Sequence, residues 1–211
     1  MSDLTLWLSY LPLTACEHRV IRLLPPSRFD LFDTEVSLVV DLANANLIAM
    51  LVSFVIAITI GLWYLAPAAR GRPVGSALTM LLWFQAFRHI ALQIFSAAEL
   101  SGLDATENAQ RTIVYGDLAT AVLAVAAMWA IRQRLAAGRL LAWLVAVVGI
   151  ADLVSATAVG VDQQLTDTAT DFSWFVLAFY TPILWVTGVM LLWQLYTRRS
   201  EPLDAPAAAV A

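Results

Sequence analysis

The sequence contains no lysine, since all twelve of its basic residues are arginine. A retinal Schiff base, or any other covalent chemistry that needs a lysine amine, is therefore excluded. The single cysteine, Cys16, cannot form an intramolecular disulfide or supply a cysteine-based metal cluster. His18 and His89 are the two histidines, so the composition argues against a haem held by two histidines within a membrane. The sequence thus predicts no metal site and indicates no particular cofactor.

Charge is also scarce, because only 13% of the 211 residues are charged whereas 61% are hydrophobic. The mean hydropathy is +0.77. Several windows of about 20 residues carry almost no charge, and that length crosses a hydrocarbon core. The net charge is −4 and no basic patch lies outside the short loops, which argues against a nucleic-acid partner. We therefore expect an all-α, multi-pass integral membrane protein.

Five apolar segments are predicted to cross the membrane as one helical bundle. The loops after the first and third segments, with the residues just after the fifth, hold seven arginines and no acid. The loops after the second and fourth hold one arginine and six acids. Arginine excess marks the cytoplasmic side, so the N-terminus is expected outside and the C-terminus inside a cell membrane, here a bacterial inner membrane. The predicted spans are Leu47–Ala66, Val74–Ala98, Ile113–Ile131, Leu140–Val161 and Phe172–Tyr196.

Three regions follow from this organisation. Residues 1–46 are predicted to be an extracytoplasmic or interfacial N-terminal segment, because the apolar run Leu4–Ala15 is too short to span. Residues 47–197 form the five-span transmembrane bundle. Residues 198–211, rich in alanine and proline, are predicted to be a disordered cytoplasmic tail.

Ionisable residues interrupt the second predicted span. At about 100° per residue, one helical arc would carry its polar side chains, and the opposite arc would carry aromatic and aliphatic ones. Ionisable groups at membrane depth usually face a bundle interior and have a partner. The polar arc consists of Gln85, Arg88, His89, Gln93 and Ser96.

Depth along the spans predicts which polar groups meet. A rise of about 1.5 Å per residue puts Arg88 about 21 Å, and Asp152 and Tyr180 each about 18 Å, above the cytoplasmic boundary. The same rise puts Asp117 about 9 Å or more further out, within reach of a long arginine side chain that extends outward. We therefore expect these four residues to form one polar site.

The formal charges within the spans are one arginine and two aspartates. An unpaired arginine there costs about 2.5–3.5 kcal/mol, and an unpaired aspartate costs a similar amount. A bridge from Arg88 to Asp152 or to Asp117 relieves one cost and leaves a surplus carboxylate. Such a pair can serve helix registry alone, can line a solvated cleft that binds a ligand or does acid–base work, or can belong to a proton path. His89 is expected to be a hydrogen-bonded interior residue, although its pKa range also suits proton transfer.

Four short motifs connect these residues to a known type of protein. They are FRHIALQIF from Phe87, YGD at Tyr115–Asp117, GIADL at Gly149–Leu153, and FYTP at Phe179–Pro182, where the proline predicts a helix kink. Their order and spacing resemble an uncharacterised family of bacterial multi-pass membrane proteins over Leu82–Leu195. The resemblance implies a shared site built on Arg88, Asp117, Asp152 and Tyr180. It implies no reaction.

The leading hypothesis is a protein that binds a small amphipathic molecule such as a lipid, an isoprenoid or a quinone. Arg88 would hold a polar or anionic head, Asp117 or Asp152 would orient it, and aromatic residues would hold the apolar body. Gln85, His89, Gln93 and Tyr180 complete the predicted ligand-binding set. One alternative is an accessory or assembly subunit of a larger membrane complex, with other membrane proteins as partners. Others are a membrane-embedded isomerase or hydratase, with a protonated aspartate or His89 as acid, and a proton-coupled carrier.

Overall fold

The computed structural model of the protein describes residues 42–95 and 106–203. These residues are predominantly helical and include no β-strand. The predictions for the interfacial segment up to residue 41, for Ser96, and for the tail beyond Leu203 lie outside the described residues.

The helices follow one another with short connections. A π-helical stretch, Gly61–Leu65, joins α1 to α2, and a second one, Phe175–Tyr180, joins α7 to α8. A 3₁₀-helix, Phe87–Phe95, continues directly from α3. The α-helices are α1 (Leu42–Ile60), α2 (Ala66–Arg70), α3 (Val74–Ala86), α4 (Glu107–Arg132), α5 (Ala137–Asp162), α6 (Leu165–Thr168), α7 (Asp171–Trp174) and α8 (Thr181–Thr197).

Within the described residues, four helical stretches are long and apolar enough to cross a membrane. They are Asn44–Arg70, Glu107–Arg132, Ala137–Asp162 and Asp171–Thr197. The prediction of five such helices is therefore wrong for the second segment. There the α-helix ends at Ala86 after 13 residues and the chain continues as nine residues of 3₁₀-helix. A 3₁₀-helix has about three residues per turn and rarely exceeds three or four residues, so this stretch is unusually long.

Small residues bring α4 and α5 together. Ala121, Ala124 and Ala127 are buried along α4, and Ala142 and Ala146 are buried along α5. Small side chains allow two helix backbones to approach closely, and in lipid such packing stabilises helix pairs. These alanines therefore position the polar residues that lie further along the same helix faces.

The buried apolar residues form two clusters. The larger cluster lies where α3 and α5 begin and where α4 and α8 end, and it includes Leu78, Leu81 and Leu191. A smaller cluster at the opposite end of α4 consists of Ala91, Ile94, Val114 and Leu165. In sequence, the buried Arg88 of the 3₁₀-helix and the buried Asp117 and Thr120 of α4 lie between the residues of the two clusters. Consequently, the polar site has apolar packing on both sides.

The proline of the last span follows a widened turn. Pro182 has no N–H to donate, and the preceding Phe175–Tyr180 is π-helical. In this turn the Thr181 hydroxyl donates to the Val176 carbonyl at 2.9 Å. The irregularity predicted at Pro182 thus takes the form of a π-helical stretch immediately before it.

The first residues of the predicted tail pack against the bundle. Arg198 Nη1 donates to the carbonyls of Ala69 and Arg72, each at 3.1 Å. The Gly75 amide donates to the Leu203 carbonyl at 3.1 Å. Residues 198–203 therefore differ from the predicted disorder, because their main chain and side chains close the end of the bundle where α3 begins.

Candidate functional site

Arg88 is completely buried and lies between two carboxylates. Its Nε is 3.0 Å from Asp117 Oδ1, and its Nη1 is 3.2 Å from Asp152 Oδ2. Nη1 also donates to the Gly149 carbonyl at 3.2 Å. Within the described residues, Arg88 Nε and Nη2 and Asp152 Oδ2 have no well-aligned hydrogen-bond partner. The two ion pairs are therefore contacts between opposite charges rather than well-aligned hydrogen bonds. The structure thus brings together three of the predicted site residues, and Arg88 contacts both aspartates rather than one.

Asp117 lies within reach of Arg88, as expected for a long arginine side chain, since Arg88 Nε is 3.0 Å from Asp117 Oδ1. The single guanidinium contacts both carboxylates, and one negative charge stays in excess when both aspartates are ionised, as the charge count predicted.

Two glycines make room for these contacts. A Cβ at Gly116 would lie 1.7 Å from Asp152 Oδ1, so a side chain there is incompatible with the observed carboxylate position. A Cβ at Gly149 would lie 3.1 Å from Thr120 Cγ2 and 3.3 Å from Arg88 Nη1. The close packing of the charged cluster thus explains why the YGD and GIADL motifs have glycine at these two positions.

The period of three in the 3₁₀-helix decides which side chains face inward. Arg88, Ala91 and Ile94 are three residues apart and all buried. His89 and Gln93 are exposed on other faces, contrary to the arc predicted from a period of 3.6. The His89 ring lies 6.0 Å from the Phe87 ring, and Nδ1 lies 3.0 Å from the Ala86 carbonyl oxygen. The structure therefore separates these two residues from the polar site.

Gln85 lies on the buried face one turn before Arg88. Its Nε2 donates to Thr187 Oγ1 at 3.1 Å, which links α3 to α8. Both residues are buried, with exposed fractions of 2% and 1%. Gln85 therefore lies on the same buried polar face as Arg88, as the sequence predicts, and its hydrogen-bond partner is Thr187 in α8.

Tyr180 links the last span to the junction between α3 and the 3₁₀-helix. Its hydroxyl donates to the Phe84 carbonyl at 3.0 Å. Where an α-helix tightens into a 3₁₀-helix, the bonding pattern changes from i+4 to i+3, and a carbonyl at the junction loses its usual main-chain donor. The tyrosine hydroxyl satisfies a carbonyl of this last α-helical turn.

A cavity of about 610 Å³ adjoins the charged cluster. Asp117 and Tyr180 line it, whereas Arg88 does not. Its wall is mainly apolar and comes from α1, the 3₁₀-helix, α4, α5 and the last span; examples are Phe54, Ile94, Ile113, Leu153, Leu177 and Trp185. The accessible polar group of the cluster is thus a carboxylate and not the guanidinium.

Sequence reasoning missed Asn46, the last residue of the segment 1–46 that is predicted to be extracytoplasmic or interfacial. This residue is 2% exposed, and its Nδ2 donates to the carbonyls of Thr166 and Ala169 at 2.7 and 3.0 Å. The contact attaches α1 to the turn that contributes Leu165, Thr166 and Asp167 to the cavity wall. An asparagine at a helix start gives no signal for such a distant partner.

The arrangement offers acid–base and hydrogen-bonding chemistry. One guanidinium and two carboxylates give a formal charge of −1 when both aspartates are ionised. Asp117 can accept a hydrogen bond from a ligand in the cavity, and once protonated it can donate one. In the described part of the chain, no group of three or more histidine, cysteine, aspartate or glutamate residues could hold a metal ion.

Residues 45–196 match the family described as Domain of unknown function (DUF8737), and the chain belongs to that family. No curated protein and no solved structure matches the chain. The family match agrees with the resemblance to an uncharacterised family, while a bacterial source and the four motifs stay predictions.

Proposed function

We propose that this family member binds a small amphipathic molecule, of the lipid, isoprenoid or quinone class, in the cavity beside Asp117. The observation that carries the proposal is a cavity of about 610 Å³ with a mainly apolar wall and a carboxylate from a buried charged cluster. Small-molecule sites commonly occupy about 300–1,000 Å³ and combine apolar walls with a few polar groups. An apolar ligand body would lie against the aliphatic and aromatic wall.

The polar head of this ligand would contact Asp117 and Tyr180. Arg88 is enclosed by its two aspartates and does not line the cavity, so it is not the headgroup contact expected from the sequence. An ionised carboxylate accepts hydrogen bonds, and the Tyr180 hydroxyl already donates to the Phe84 carbonyl. A head that donates, such as a hydroxyl, an amine or the reduced quinol form of a quinone, therefore fits an ionised Asp117 better than an anion, and a quinone carbonyl would accept from a protonated Asp117.

A pair of substitutions on α5 tests the proposal. Ala156 lines the cavity, whereas Ala158 is exposed on the same helix and does not. We expect Ala156→Phe to reduce the co-purifying small molecule several-fold, measured by mass spectrometry of organic extracts after mild detergent extraction. Ala158→Phe should retain the wild-type amount. Wild-type protein that carries no molecule beyond bulk lipid would overturn the proposal.

We also propose a cell-membrane location, in a bacterial inner membrane, with the C-terminus on the cytoplasmic side. The seven arginines in the loops after the first and third predicted spans and at the chain end support this orientation, which requires α3 and the 3₁₀-helix together to cross the membrane. In a Cys16→Ser background, Asp167→Cys should react with an impermeant maleimide added to intact cells, and Arg134→Cys should not. The reverse labelling pattern would contradict the orientation.

An accessory subunit of a larger complex is the second candidate. It draws support from the first membrane-crossing stretch, Asn44–Arg70, whose large apolar side chains are extensively exposed, as in Val55 and Leu62 at 64% and 65%. A stoichiometric protein partner in mild detergent would favour this function, and a monomer with bound ligand would favour the first. Isomerase, hydratase and proton-coupled carrier activities stay predictions from the sequence.

A further inference from the structure

We propose a second binding site, for an anionic phospholipid, in the groove between α3 and α4. The lipid phosphate would lie against Arg72 and Arg132, and an acyl chain would lie along Trp83 and Trp129. The site shares no lining residue with the Asp117 cavity, so it is independent of the function proposed above.

Residues at helical spacing form the two walls of the groove. On α3, Ser76, Met80 and Trp83 are separated by four and three residues. On α4, Val125, Trp129 and Arg132 have the same spacing. Residues spaced by three and four lie on one face of a helix, so each wall is a continuous strip. The groove has a volume of about 810 Å³ and includes the arginines at the end where α3 begins and α4 ends.

Charge in the groove has one sign. Arg72, Arg132 and Arg134 line it together, and its lining residues include no aspartate or glutamate. Within the described part of the chain, Arg72 and Arg132 form no ion pair with an acidic side chain. Arg72 lies over the groove, with Nη1 3.3 Å from Met80 Sδ. Clustered guanidinium groups next to a membrane-spanning helix attract phosphate headgroups.

Neighbouring arginines at the same end of the bundle have structural partners instead. Arg198 pairs with Glu201 at 2.6 Å and also binds two main-chain carbonyls. Arg139 donates to the carbonyls of Arg199 and Glu201. The fold therefore uses these two arginines to hold the chain end, whereas Arg72 and Arg132 are exposed at the groove.

The apolar half of the groove suits a lipid chain. Trp83 and Trp129 are 54% and 59% exposed, and Val125 is 55% exposed. Tryptophan is enriched at the membrane–water interface because its ring is apolar while its N–H can hydrogen-bond. An arginine end and a tryptophan strip in one groove match the two ends of an anionic phospholipid, which a soluble phosphate would not match.

Native mass spectrometry of the full chain in mild detergent tests the site. Dioleoylphosphatidylglycerol and dioleoylphosphatidylcholine have the same acyl chains and differ in headgroup charge. We expect wild-type protein to prefer the anionic lipid. Each arginine near a membrane surface contributes roughly fivefold in affinity for anionic lipid, so R72Q/R132Q should weaken phosphatidylglycerol binding about 30-fold. Its binding of phosphatidylcholine should not change.

The matched control is R70Q/R199Q, which removes the same charge from exposed residues outside the groove. It should retain the wild-type preference. Equal wild-type affinity for the two lipids, unchanged binding by R72Q/R132Q, or an equal loss in R70Q/R199Q would each overturn the proposal. Competition by inorganic phosphate alone would also overturn it, because the site would then recognise a soluble anion.

Discussion

The carboxylate of Asp152 occupies the space that a side chain at Gly116 would need. A Cβ at position 116 would lie 1.7 Å from Asp152 Oδ1. Gly116 precedes Asp117, so α4 and α5 bring both carboxylates to Arg88 across one close contact. The charged cluster and the close approach of these two helices therefore depend on each other.

Gly116→Ala should displace the Asp152 carboxylate. Overpacking a filled interior typically costs about 1–3 kcal/mol, and here the displaced group is also an ion-pair partner. We expect the free energy of unfolding, measured by denaturant titration in mixed micelles, to fall by about 2 kcal/mol.

The control for this change is Gly160→Ala in α5, whose Cβ would meet nothing closer than Leu165 Cδ1 at 3.9 Å. Alanine in a helix interior is favoured over glycine by about 0.5–1 kcal/mol, so this variant should be at least as stable as wild type. Equal effects of the two substitutions would contradict the packing explanation.

Arg88→Met should destabilise the bundle by about 3–5 kcal/mol, because removing one partner leaves buried charge uncompensated. The triple variant R88M/D117N/D152N should recover most of that loss, since it removes the carboxylates' charge as well. Denaturant titration in mixed micelles measures both values.

Arg111→Met is the matched control for Arg88→Met. Arg111 forms a 2.5 Å ion pair with Glu107, but the two side chains are 55% and 75% exposed. Exposed pairs contribute about 0–1 kcal/mol, so the control should change stability little. A small loss of stability in Arg88→Met, or a triple variant as unstable as the single one, would contradict this explanation. It would show that the charge of Arg88 does not compensate the buried charges of Asp117 and Asp152.

Tyr180→Phe removes the hydroxyl that donates to the Phe84 carbonyl. The loss of a hydrogen bond to a partly buried carbonyl costs about 1 kcal/mol. Tyr64→Phe alters a tyrosine that is 68% exposed and should have a smaller effect. Backbone hydrogen exchange should also increase around Phe84 in Tyr180→Phe alone, and unchanged exchange there would contradict the assigned contact.

Glu201 makes the chain end sensitive to acid. A hydrogen bond from Arg198 lowers the pKa of Glu201 below its ordinary value. A lowered folded-state pKa stabilises the protein above the unfolded pKa, and that contribution is lost as the pH falls through the folded pKa. We expect the thermal midpoint of wild type to approach that of Glu201→Gln in acid. A constant difference between the two proteins at all pH values would disprove the linkage.

Several features follow directly from the sequence. Long apolar stretches predict membrane-crossing helices, and four of the five are found in the described residues. The pairing of Arg88 with aspartates follows from the cost of isolated charge in lipid, and both predicted partners contact it. Such inferences succeed because hydrophobic length and charge balance are properties of the segments themselves.

Tertiary structure alone decides which side chains face the interior. The chain from Phe87 onward winds with three residues per turn, so the inward face carries Arg88, Ala91 and Ile94, and it turns His89 outward. Packing also encloses Arg88 and leaves Asp117 as the group that lines the cavity. Neither result can be read from residue order, because helical period, tilt and close approach at Gly116 depend on contacts between distant segments.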